Sequence, residues 1–580
     1  MGILGQTEPG TGSPSATILQ KLRRGLIGLG LLSGFMQCII LGGALFLMMM
    51  FDIILPGRST ASLVGVFMLA VGAVLFLGGF SILRSRMLID LSAMVQADLS
   101  PGMPSAIQYV AVNGGGAGDG QQPLDDLEDV RAFLASPGAA ALLDLPWSLL
   151  ALLMLFLFHV WLGAVALVAL IVVGILCFAL ESGSARPLGW LAEGRSYRRL
   201  VADEQRRQVD AVHGLGMRAR FGARWLGLDR RVADMRRQQE RTSVTIAVAS
   251  GAFRLIFFIL MLTVGIALAF NDRASVGVVV AAAILLFQIL LPADRAIEAW
   301  PGFAAARLAW HRLSKLMPLL DRGMVSTLLP PPVEALELGQ VAITAPGRTN
   351  VLVQGVGFRL KAGQALAVVG HSGAGKSVLL RAIVGLWRPA HGVIRLDGAT
   401  LDQWESDILG SHIGYLPQTN ELLIGTVGQN IARFDFEARS DEIIAAAEAA
   451  GVHEQILRLP DGYETEVGRD GKSVPPGLRQ RIALARALFR DPFLVVLDDP
   501  HSSLDVEGDA ALVKAIAKIR ARNGIVIIVA YRTNILPLMD HILVMRQGTM
   551  AAFGPPDNIL PRLLGQDKPT EPAKEDTPQN

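Results

Sequence analysis

Six apolar stretches, each near or above the ~20 residues a helix needs to cross a bilayer, fall at about 25–52, 60–82, 139–159, 161–180, 244–270 and 275–292. The third and fourth are separated by little more than His159 and Val160, which predicts a tight helical hairpin. After Trp310 the pattern changes. A linker ending in Pro330, Pro331 and Pro332 precedes short β-branched runs that alternate with Ala-rich helical segments, the pattern of an α/β domain. The expected organisation is a disordered tail (1–20), an all-α six-helix transmembrane domain (21–318), a linker (319–332), an α/β domain (333–563) and a second disordered tail (564–580).

Composition agrees with a membrane protein that has a soluble part. Hydrophobic residues make up 51% and charged residues 18%, with a mean hydropathy of +0.43, which excludes a disordered chain. The net charge of +2 leaves no nucleic-acid footprint, so no nucleic-acid partner is expected. Cys38 and Cys177 both sit in apolar runs, so there is no disulfide framework. The connection from 181 to 242 carries fourteen Arg, whereas the turns on the opposite side carry only Arg58 and Arg273. The positive-inside rule then puts both termini in the cytoplasm. Arg254 falls inside the fifth stretch and Asp144 opens the third. Each is either a functional group or a charge satisfied within the bundle.

The second half holds the strongest local signal. An apolar strand, Gln364 to Val369, runs into Gly370, His371, Ser372, Gly373, Ala374, Gly375, Lys376 and Ser377, and a helical segment opens at Val378. Gly-x-x-x-x-Gly-Lys-Ser between a strand and a helix is a P-loop. Its glycines turn backbone N–H groups toward phosphate, its lysine meets the β/γ-phosphates, and its serine holds Mg²⁺. ATP and Mg²⁺ are the expected ligands. A second apolar strand, Phe493 to Leu497, delivers Asp498, placed to hold Mg²⁺ with Ser377, and then Asp499, placed to polarise an attacking water.

Six spans followed by a P-loop α/β domain resemble an ATP-binding cassette exporter half-transporter. Gln418 in Ile413–Gln418 matches the glutamine loop that touches Mg²⁺, Arg479–Leu488 matches the helix behind the signature, and Ser502–Asp505 matches the loop that crosses to the partner nucleotide domain. In the membrane half, Phe51–Ser59, Gln122–Leu134 and Gly138–Trp147 resemble the type I protein-secretion permease/ATPases of Gram-negative bacteria, the protease and RTX-protein exporters. The resemblance implies ATP-driven export of an unfolded polypeptide across the inner membrane. It also implies a dimer with a second half-transporter, a periplasmic adaptor protein and an outer-membrane channel protein.

Three positions depart from that family's pattern. The signature Leu-Ser-Gly-Gly-Gln reads Val474, Pro475, Pro476, Gly477, Leu478 here, so that Gly477 is kept while one hydroxyl and two backbone donors are lost. The glutamate after the Mg²⁺ aspartate is Asp499, and the switch histidine is Tyr531. Asp505 remains in its loop. ATP binding is therefore a firmer expectation than turnover. Alternative readings are an ATP-binding, weakly hydrolysing subunit of a heterodimer, or an exporter of lipid or a small molecule.

Overall fold

A computed structural model describes residues 14–113, 122–320, 329–419, 421–468, 471, 473–502, 504, 506–530 and 535–563. The chain divides into two compact units, Met1–Arg322 and Gly323–Asn580.

Among the described residues of the first unit, six helices are long and apolar enough to cross a membrane: Thr17–Gly57, Thr60–Val112, Pro137–Phe158, Val160–Gly183, Arg218–Phe270 and Val276–Met317. Helices satisfy every backbone group internally, which lipid requires. Several run far past their apolar stretch. The helix Arg218–Phe270 has 53 residues, which at 1.5 Å per residue is about 80 Å, well over twice the hydrocarbon thickness. The tight hairpin is present, with the backbone extended at His159 and its Nδ1 accepting the Trp161 N–H at 3.2 Å.

The first helix starts at Pro14, inside the segment 1–20 expected to be disordered. The reason is a local apolar contact, with Ile18 buried against Val95, Leu99, Leu313 and Met317. Residues 1–13 and the expected tail 564–580 lie outside the described residues. At its other end the first helix opens into a π-turn, Met50–Ile54. That turn aims Asp52 at the start of the last helix, where the Gly277 N–H donates to it at 2.8 Å and the Ser275 hydroxyl donates as well. Close approach matters at Gly34, where a Cβ would stand 2.6 Å from the Trp147 ring. Gly34→Val should therefore destabilise the unit by about 1–3 kcal/mol, measured by thermal unfolding in lipid nanodiscs. An unchanged transition would contradict this packing.

The charges inside the apolar stretches are paired across helices. Arg84 donates to Asp144 at 2.6 Å and to the Ser33 hydroxyl at 3.1 Å, tying the second helix to the third and the first. Arg254 pairs with Asp294, which also accepts from Ser250, and its guanidinium lies 4.9 Å from the Phe287 ring centroid. Arg254 and Asp144 are thus each paired within the bundle, as charges at membrane depth usually are.

The second unit is built on a ten-stranded sheet in the order β5-β4-β1-β2-β10-β9-β3-β8-β7-β6. In chain order the strands are β1 Ala335–Thr344, β2 Val351–Lys361, β3 Ala365–Val369, β4 His391–Leu396, β5 Ala399–Thr400, β6 Ile413–Leu416, β7 Leu494–Asp498, β8 Ile525–Val529, β9 His541–Arg546 and β10 Thr549–Gly554. The strands β3, β8, β7 and β6 pair in parallel, whereas β1, β2, β4 and β5 pair antiparallel. Strand alternation divides the core between the two faces. Leu366, Val368, Leu494, Val496, Ile525 and Ile527 pack with Leu379, Leu380 and Ile383 on one face. Ala365, Ala367, Val495, Leu497, Val526 and Ile528 pack with Ile482, Leu484 and Leu488 on the other.

Candidate nucleotide site

Register brings the predicted groups to one edge of the sheet. Val368 and Asp498 both pair with Val529, and Leu497 pairs with Leu416 and Ile528. The loops leaving β3, β7, β8 and β6 therefore begin at nearly the same level. They carry the P-loop, Asp498 and Asp499, Ala530 and Gln418 respectively. The carboxyl ends of adjacent parallel strands are where open α/β sheets take their ligands.

The P-loop turns back on itself between β3 and the helix Lys376–Ile383. The Ala374 N–H donates to the His371 carbonyl at 3.1 Å. Gly375, at φ +93°, is the N-cap, and a Cβ there would press to 2.9 Å from Val353. Gly373, at φ +79°, is exposed, with nothing within 4 Å of where its Cβ would be. Ser372 and His371 are exposed beside it, and Val378 is half-buried at the helix start. Lys376 is only 5% exposed, and its Nζ donates to the Gly370 carbonyl at 2.8 Å and the His371 carbonyl at 2.9 Å. A helix N-terminus with a lysine folded over a glycine turn suits a polyphosphate.

Asp498 ends β7 on the same face as Leu494 and Val496, the face covered by the P-loop helix. Burial raises its proton affinity, and Ser377, Arg381 and Lys376 oppose that. A desolvated carboxylate beside a serine hydroxyl is a donor set suited to a hard divalent cation such as Mg²⁺. Arg381 and Tyr415, both within electrostatic reach of Asp498, are not singled out by the sequence motifs. Arg381 was findable, because it follows Ser377 by four positions and so shares its helix face.

Comparison with known proteins fixes the lineage. Residues 353–502 match the ABC transporter family model. Over 562 residues, 96% of this chain and 96% of the relative, the sequence is 40% identical to the type I secretion system ATP-binding protein PrsD of Rhizobium meliloti (strain 1021). The chain belongs to the type I secretion ATP-binding proteins of the ABC transporter family. Another relative is the alpha-hemolysin translocation ATP-binding protein HlyB of Escherichia coli O157:H7, 26% identical over 92% of this chain and 76% of that protein. The cyclolysin secretion/processing ATP-binding protein CyaB of Bordetella pertussis is 28% identical over 76% of this chain and 62% of that protein. In fold, the chain superposes on a bacterial Atm1-family ABC exporter solved with ATP bound, with TM-score 0.76 and 20% identity over 96% of this chain and 100% of that one. This is an ABC-type ATPase in a multi-pass membrane protein, the ATP-binding component of a type I secretion system.

The remaining candidates of this type I secretion ATPase are more dispersed. Gln418 is exposed two residues beyond β6. Asp499 is half-buried, in the left-handed region at φ +53°. Gly477 is the second residue of the helix Pro476–Leu488, which packs on the sheet face opposite the P-loop helix. Pro475 is the N-cap of that helix and Pro476 its first residue. Proline is well tolerated at both places, where an N–H would have no intrahelical partner. The substitutions keep the helix and delete its donors. Tyr531 and Asp505 lie outside the described residues.

Proposed function

We propose that this type I secretion ATPase uses ATP binding and hydrolysis to export an unfolded polypeptide across the bacterial inner membrane. It works as a dimer of half-transporters with a periplasmic adaptor and an outer-membrane channel, and both termini are cytoplasmic. The membrane domain spans 21–318 and the nucleotide domain 333–563. The observation that carries this reading is the match to a type I secretion ATP-binding protein along nearly the whole chain, membrane half included.

The residue roles follow from the strand-end cluster. Gly370 to Val378 cradle the phosphates through backbone N–H groups, and Lys376 neutralises their charge. Ser377, Asp498 and Gln418 would hold Mg²⁺, which when bound offsets charge on the phosphate oxygens. Asp499 takes the proton of the attacking water, one methylene short of the family's glutamate. Tyr531 offers a hydrogen bond where the family places histidine. Gly477 and Asp505 serve the site on the opposite subunit, in keeping with Gly477 standing on the other face of its own sheet.

Polypeptide export is tested by comparing proteins in the medium of cells carrying the wild-type chain, a deletion and Lys376→Ala. Specific polypeptides should disappear in both altered strains. An unchanged set of secreted polypeptides, with a defect confined to lipid or a small molecule, would sink this reading.

The two prolines favour a second reading, a slowly hydrolysing subunit beside an active sibling. In the homodimer each site would meet a signature lacking two N–H groups and a hydroxyl. Single donors of this kind are worth about 100-fold or more in rate. Pro475→Ser with Pro476→Gly should therefore raise homodimer turnover by about tenfold or more, measured as steady-state ATPase in lipid. No increase would show that the signature is not limiting.

A further inference from the structure

Immediately after Asp499 the chain makes a turn that its own backbone holds weakly. Strand β7 ends at Asp498, and Asp499 takes φ +53°, a conformation that few non-glycine residues adopt. The backbone bonds that follow are long, Ser502 N–H to the Asp499 carbonyl at 3.4 Å and Leu504 N–H to the His501 carbonyl at 3.3 Å. Pro500 contributes no N–H at all.

Side chains hold the turn instead. Gln480, buried on the helix Pro476–Leu488, donates from its amide to the Pro500 carbonyl. His501 is 4% exposed, and its Nδ1 lies 2.9 Å from the Asp509 carboxylate in the first turn of the helix Val506–Ala521. An ionised carboxylate only accepts, so Nδ1 carries the hydrogen and donates it. Among the described residues, the buried Nε2 of His501 has no hydrogen-bond partner. A left-handed aspartate next to a ring nitrogen buried without a partner is unfavourable locally, and such strain persists where the surroundings over-determine it.

We propose that His501 is a positioning residue for ATP hydrolysis. Its ring, anchored by Asp509, clamps the Asp499–Leu504 turn and so sets where the Asp499 carboxylate stands. The role rests on reading Asp499 as the group that receives the proton of the attacking water. His501 itself is buried and acts only through the turn. It also joins the end of β7 to the helix beyond Asp505, so the base and the loop expected to reach the partner subunit share one anchor.

The test uses the full chain in lipid nanodiscs, with steady-state ATPase, thermal unfolding and hydrogen–deuterium exchange on wild type, His501→Leu, His501→Asn and Lys376→Ala. His501→Leu should lower kcat by about tenfold or more, since small misplacements of a reacting group cost that much. KM for ATP should stay within about twofold, because the P-loop is untouched. Exchange should accelerate in peptides covering 498–505. His501→Asn, whose amide N–H can take the place of Nδ1–H, should recover most of both effects. Unchanged exchange in this turn overturns the proposal, as does faster exchange with unchanged kcat. Parallel loss of kcat, ATP affinity and thermal stability overturns it too, marking a purely structural residue. If wild type shows no turnover above Lys376→Ala, the hydrolysis reading fails first and the positioning role falls with it.

Discussion

Lys376→Ala should reduce ATP turnover at least about a hundredfold, the scale expected when a donor aimed at developing phosphate charge is removed. The side chain is 5% exposed and bent back so that its ammonium bonds the carbonyls of Gly370 and His371. The positive charge is therefore fixed over the mouth of the loop before any ligand arrives, with little conformational freedom left to lose on binding. Alanine removes the charge and leaves the glycine turn and the helix Lys376–Ile383 in place, since Leu379, Leu380 and Ile383 anchor that helix in the core. Thermal unfolding should move little while ATPase in lipid collapses. Turnover within about threefold of wild type would show that phosphate charge is neutralised elsewhere.

Asp144→Leu should strongly destabilise the membrane unit. It strands the Arg84 guanidinium, 10% exposed, leaving it the Ser33 hydroxyl at 3.1 Å as a hydrogen-bond partner. Breaking a buried pair from one side costs about 3–5 kcal/mol, while replacing both members by apolar groups of similar volume is often neutral. The double variant Arg84→Met with Asp144→Leu should accordingly recover most of the lost stability. Thermal unfolding of wild type, both single variants and the double variant gives the coupling directly. Additive single effects would mean that the two charges do not stabilise one another.

What the sequence discloses here depends on how local each signal is. The P-loop is legible because one turn places all of its groups, and Asp498 because a strand's alternation decides which face it joins. Hydropathy locates the six spans but marks only their lipid-facing length. It stops near residue 244 for a helix that begins at Arg218, because the many arginines of the extension outweigh its apolar residues in the average. Partners across helices leave no local trace. Arg254 can be singled out as a charge in an apolar run, yet Asp294 lies on the next helix and becomes its partner only through packing. His501 lies in a turn and Asp509 in the helix that follows, so no single element's periodicity relates them and their pairing emerges only in the fold.

The ends of the first helix have a mechanical consequence. Asp52 fastens it to the start of the last helix through Gly277 and Ser275, and Ile18 locks its opposite end against Leu313 and Met317 of that same helix. Two rods joined at both ends cannot slide or splay independently. They form a single strut. Any stroke driven by ATP has to carry this strut whole and place its pivots in the other four helices.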